Sequence, residues 1–158
     1  MRTSLSKVVL TLTLACMLTA CGGGVSAEPL LSGNVMGSYE GSAFTAVNGF
    51  ATVSNGASVI LVGTGNLGCG SEESNSPPSG LNAAIRAPQF AVGTYSNVQV
   101  QLYSNVGGFE STGSNQGTLV ITSVTDESIA GQITYSYTSA DEQTYTLTGT
   151  FEVVHCAY

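Results

Sequence analysis

The feature that most restricts the fold of this chain is a two-residue period near its C-terminus. From Gln143 to Cys156, Tyr145, Leu147, Phe151 and Val153 share one parity, and Thr144, Thr146, Thr148, Thr150 and Glu152 share the other. Successive side chains of a strand point to opposite faces, so this spacing predicts a strand with one dry face and one wet face. The segment before it repeats the pattern. Ile129, Ile133, Tyr135 and Tyr137 alternate there with Gln132, Thr134, Ser136 and Thr138. Asp126-Glu127 and Asp141-Glu142 mark the turns. An antiparallel sheet with one solvated face carries this signature.

Weaker strand signals run upstream. Gly117–Val124 and Leu81–Ala87 read as strands, the latter ended by Pro88. Val98–Leu102 sets Val98, Val100 and Leu102 against Gln99 and Gln101. Asn48-Gly49 and Asn55-Gly56 are two-residue turn signals, because Asn-Gly tolerates the positive φ angles of a type I′ hairpin turn. They divide a three-stranded meander, Ser42–Val47, Phe50–Ser54 and Ala57–Thr64. Its third member is apolar on both parities around Val59–Val62, which predicts cover on both faces. Gly65–Gly80 and Ser104–Gln116 read as polar loops. The chain is therefore expected to be all-β, an antiparallel β-sandwich or a small β-barrel of seven or eight strands, and the strand count leaves that choice open.

The N-terminus differs in kind. Arg2 and Lys7 precede an uncharged, mostly apolar run from Val8 to Ala20. As a helix this run spans roughly 20 Å, too short for a bilayer core, and fits the h-region of a signal peptide. Leu18-Thr19-Ala20-Cys21 resembles the lipobox of bacterial lipoproteins. The resemblance implies cleavage after Ala20 and attachment of lipid to Cys21. Two or three acyl chains, at about 0.8 kcal/mol per buried CH₂, make such an anchor effectively permanent. Gly22–Ser38 is rich in Gly and small residues and reads as a flexible tether, so residues 21–38 form the lipidated linker and 39–158 the β domain. In families of this kind an Asp after the lipid-bearing Cys holds the protein at the inner membrane. Gly22 and Gly23 stand there instead, which implies the outer membrane.

Cleavage would remove Arg2 and Lys7, leaving Arg86 as the single basic residue against ten acids, a net charge of −9. One Arg cannot neutralise a run of phosphates, so nucleic acid is excluded as a partner. Peripheral binding to anionic headgroups needs basic clusters and is excluded as well, so contact with a membrane rests on the lipid. Cys16 leaves with the signal and Cys21 carries lipid. Cys69 and Cys156 remain and are expected to form a disulfide in an oxidising compartment.

A broader resemblance rests on Gly117-Thr-Leu-Val-Ile-Thr-Ser-Val, Ile129-Ala-Gly131 and Leu147-Thr-Gly149-Thr-Phe151, with the chain closing near Cys156. These segments, together with the lipobox, resemble small uncharacterised lipoproteins of myxobacterial type. The resemblance implies an envelope location and a β-rich domain, and no activity.

No catalytic, metal or cofactor motif emerges. His155 is the only imidazole, no Gly-x-Ser-x-Gly elbow accompanies it, and a structural role is expected. The acid pairs Glu72-Glu73, Asp126-Glu127 and Asp141-Glu142 lack Ca²⁺-loop spacing and read as solvated turns. Tyr135, Tyr137 and Tyr145 belong by parity to the core, while Tyr103 falls on the polar face of its strand and is the best exposed aromatic. With Thr146 and Thr148 on the hydroxyl face of the last strand, Tyr103 forms the expected surface for a glycan or protein partner. The expected function is a non-catalytic binding or structural module. A small-ligand carrier with a lipocalin-like barrel cavity is the alternative, and a hydrolase a remote third.

Overall fold

Nine strands build the structure, a computed structural model that describes residues 27–69 and 78–156. They are β1 (Ser32–Tyr39), β2 (Ser42–Thr45), β3 (Asn48–Ser54), β4 (Ala57–Gly63), β5 (Leu81–Ala87), β6 (Gly93–Ser104), β7 (Glu110–Val124), β8 (Ser128–Thr138) and β9 (Thr144–His155). The chain is all-β, and the described residues include no helix. The sheet order is β2-β1-β9-β3-β4-β5-β6-β7-β8, and β8 returns to pair with β9. That return closes seven strands, β3 to β9, into a barrel and leaves β1 and β2 as an attached hairpin.

The alternation near the C-terminus sets the register. Ile133↔Gly149, Tyr135↔Leu147 and Tyr137↔Tyr145 face one another across β8 and β9. Ile129, Ile133, Tyr135, Tyr145, Leu147, Phe151 and Val153 are all buried in the barrel core. From the other wall, Ile60, Val62, Ile85, Val100 and Leu102 meet them. β4 is covered on both faces, as its double parity predicts. Ile60 and Val62 point into the barrel, while Leu61 packs outside against a second cluster of Phe50, Leu67 and Cys156.

The barrel closes at one parallel seam. Phe50 and Ala51 of β3 lie beside Val154 and His155 of β9, and the Cys156 N–H donates to the Ala51 carbonyl at 2.8 Å. The rest of the same β9 edge is taken by β1, with Ser32–Ser38 against Thr146–Glu152. Cys69 and Cys156 form a disulfide with Cα atoms 5.6 Å apart, directly beside the seam.

Three expectations are corrected here. Ser32–Ser38 is not tether but most of β1, held between β9 and β2. Its glycines mimic a linker, yet Gly37 lies flat beneath the Phe44 ring, where a side chain would collide. Asn48-Gly49 is not a turn. It lies within β3, paired to Gly63 and Val62, so Ser42–Val47 and Phe50–Ser54 are not hairpin neighbours. The two-residue turns are Asn55-Gly56, as expected, and Glu40-Gly41, with φ of 48° and 76°. Finally, most of Ser104–Gln116 is strand rather than loop, because β7 begins at Glu110 and pairs with the end of β6. The signal, Ala20 and the lipid-bearing Cys21 lie outside the described residues.

Candidate functional site

The strand ends converge on one mouth of the barrel. The end of β1, the start of β2, the start of β5, the end of β6 and the start of β7 meet there. Between them lies a cleft of about 330 Å³, lined by Tyr39, Glu40, Ser42, Leu81, Ser104, Val106 and Glu110. Pockets for small molecules run from about 300 to 1,000 Å³, so this one lies at the small end.

Local sequence explains each wall. Glu40 occupies the first position of a type I′ turn, which projects its carboxylate from the rim. The β6–β7 connection turns through Gly107 and Gly108, both at positive φ. Val106 and Phe109 flank those glycines, and both are more than half exposed. Ser104 is buried, and its hydroxyl accepts the Val106 N–H at 3.3 Å. Glu110 opens β7 opposite Ser104.

Beneath the rim sits an aromatic cluster. The Tyr39 and Tyr145 rings meet edge to face at 5.5 Å, and Tyr145 stacks on Tyr137 at 6.1 Å. Burial raises the Tyr39 phenol pKa above 10, and the Glu40 and Glu110 carboxylates raise it further. Tyr145 is raised in the same way, first by burial and then by Glu40, Asp141, Tyr137 and Glu110. These phenols keep their protons, so the mouth combines neutral hydroxylated rings with carboxylates.

The residues expected to bind are not gathered here. Tyr103 is buried, which corrects its assignment to the exposed surface. It does lie on the outer face, but it sits across from buried Asn82, whose amide donates to the Ser79 carbonyl of the β4–β5 connection at 3.1 Å. The Phe109 ring covers it at 6.0 Å, and burial pushes its phenol up to about 12. Thr148 is exposed and Thr146 half-buried on the outer face of β9, beside Thr134 and Ser136. Hydroxyls alone form a good wet sheet face.

His155 donates from Nδ1 to the Thr125 carbonyl at 2.9 Å and meets Phe90 edge to face. A carbonyl only accepts, so the proton is on Nδ1 and the ring ties two loops together. The turn at Asp126-Glu127 is held by Thr125 Oγ1, which accepts the N–H groups of Glu127 and Ser128. Glu72-Glu73 and Tyr158 lie outside the described residues. Among the described residues no three His, Cys, Asp or Glu side chains gather where they could hold a metal.

The mouth escapes a sequence reading because its residues come from five separate strand ends. Two signals do point to it. Glu40-Gly41 can form a type I′ turn, and Val106 and Phe109 are isolated apolar residues in a polar stretch. No family model, curated protein or solved structure matches the chain.

Proposed function

We propose that this chain is a non-catalytic binding module of the bacterial envelope, anchored by lipid on Cys21, that takes a small molecule at the mouth of its barrel. The observation that carries the reading is the mouth cleft, where apolar walls from Leu81 and Val106 meet polar groups from Tyr39, Ser104 and Glu110. A few oriented polar groups on an apolar wall are the usual make-up of a small-molecule site.

A lipocalin-like carrier would hold its ligand deep inside. Here Val35, Phe44, Ile60, Leu102, Leu119 and Phe151 fill the interior, and that favours the mouth. The anchor rests on Leu18-Thr19-Ala20-Cys21, and the outer-membrane placement on Gly22 and Gly23.

Both halves can be tested in one strain. Full-length protein should incorporate labelled palmitate and fractionate with the outer membrane, and Cys21→Ala should abolish both. Recovery of labelled protein solely with the inner membrane would overturn the placement. For the binding half, small-molecule hits from an NMR screen should shift the amides of Glu40, Ser104 and Val106. Ser42→Trp, at an exposed position on the cleft wall, should remove those shifts. Hits that cluster elsewhere would overturn the mouth as the site.

A further inference from the structure

We infer that the mouth cleft selects an organic cation, a protonated amine or quaternary ammonium carried on an apolar body. The inference rests on the mouth being the binding site.

Three observations lead there. The first is charge. Glu40 and Glu110 come from different elements, the β1–β2 turn and the start of β7, and both border the cleft. Arg86 does not answer them. It lies at the other end of β5 from Leu81, paired with Val59 and Gln99, and five residues of strand amount to about 16 Å. Any cation that balances the two carboxylates comes from outside this part of the chain.

The second is the wall. Tyr39 is only 5% exposed, yet it borders the cleft, and no hydrogen bond among the described residues holds its hydroxyl. Its ring is braced edge to face by Tyr145. A braced phenol at the border of a cleft that also carries two carboxylates suits an ammonium group, which is attracted to both aromatic rings and anions. An uncommitted phenol oxygen can accept an N–H from a primary amine.

The third is size and polarity. A bare metal ion needs several converging oxygen ligands, and the described residues gather no such group. About 330 Å³ is far more room than an ion requires. Leu81 and the exposed Val106 supply apolar contact for a carbon skeleton. A neutral sugar would leave both carboxylates without a counter-charge, and an anion would be repelled.

The test uses a matched pair of probes on the full chain purified in detergent. Benzyltrimethylammonium carries the charge, and neopentylbenzene has nearly the same shape without it. NMR titration should show the cation shifting Tyr39, Ser104 and Val106, with the neutral probe at least about tenfold weaker. Glu40→Gln and Glu110→Gln should each weaken the cation several-fold. Asp126→Asn, at the opposite end of the barrel, should leave it unchanged, so general loss of negative charge is controlled for. Both Gln variants sit at exposed rim positions, and their unaltered spectra elsewhere would show that they fold. Equal binding of the two probes at the mouth would overturn the cation selectivity while leaving the mouth as a site. Binding of neither would overturn both.

Discussion

Single residues carry the clearest agreement and the clearest failure. Phe151 and Thr148 sit three positions apart on β9, one buried in the barrel and one exposed. Phe151→Ala should cost roughly 3–5 kcal/mol, the usual loss for an emptied aromatic core site. Thr148→Ala should cost well under 1 kcal/mol. Chemical denaturation of the two variants checks the pair, and equal losses would mean the register is wrong. Parity succeeds at these positions because the wet face of β9 is truly wet. At Tyr103 the same rule fails. Parity assigns the side of the sheet, but it carries no information about what folds over that side. The Phe109 ring lies against Tyr103 and buried Asn82 of β5 sits beside it, so Tyr103 is buried there. That burial has a pH signature. A phenol pKa raised to about 12 contributes stability that is whole below the unfolded value near 10 and is lost as pH climbs through the folded value. Two units amount to about 3 kcal/mol. Urea denaturation between pH 9 and 11.5 should show stability falling for the native chain and falling less for Tyr103→Phe. An unchanged slope would place the Tyr103 hydroxyl in solvent.

At the scale of elements, legibility follows hydropathy contrast. β8 and β9 divide sharply into apolar and hydroxyl faces, and both are evident in the sequence. The first part of β7 has no such contrast. Glu110, Thr112 and Ser114 alternate with Ser111, Gly113 and Asn115, and of these Glu110 borders the polar mouth. β1 is hidden in another way, since Ser32–Tyr39 has the composition of a linker. Long-range pairing to β9 runs along most of it, with β2 on its other side only from Met36 to Tyr39, and a local window does not register the pairing to β9. The disulfide was legible from the cysteine count and the expectation of export, but its purpose was not. It joins Cys69 to Cys156 across 87 residues, just past the two-pair seam that closes the barrel. In the chain-entropy account a loop of that length contributes about 4–5 kcal/mol. Reduction should therefore lower stability by several kcal/mol and speed hydrogen exchange at Cys156 and His155 before the β8–β9 ladder. Simultaneous loss of protection throughout would show that the bond does not act at the seam.

At the scale of the molecule, the sequence limited the choice to two architectures. A sandwich and a barrel share their strands and their alternation, and differ in whether the first and last elements meet. Here β3 and β9, more than a hundred residues apart by position, meet in parallel at Phe50–Ala51 and Val154–His155. That contact rests on a few backbone hydrogen bonds, the Phe50–Leu67–Cys156 cluster and the disulfide. The site proposed above lies at one end of this closed barrel, in the cleft bordered by Glu40 and Glu110. The most direct test is therefore a nuclear Overhauser measurement on isotope-labelled oxidised protein. The closed barrel predicts strong backbone contacts between Phe50 and Val154 and between Ala51 and His155. It also predicts Ile133–Gly149 and Tyr137–Tyr145 contacts on the other edge of β9. Seeing the β8–β9 contacts without those between β3 and β9 would mean an open sheet, and would contradict both the barrel and the binding site built on its mouth.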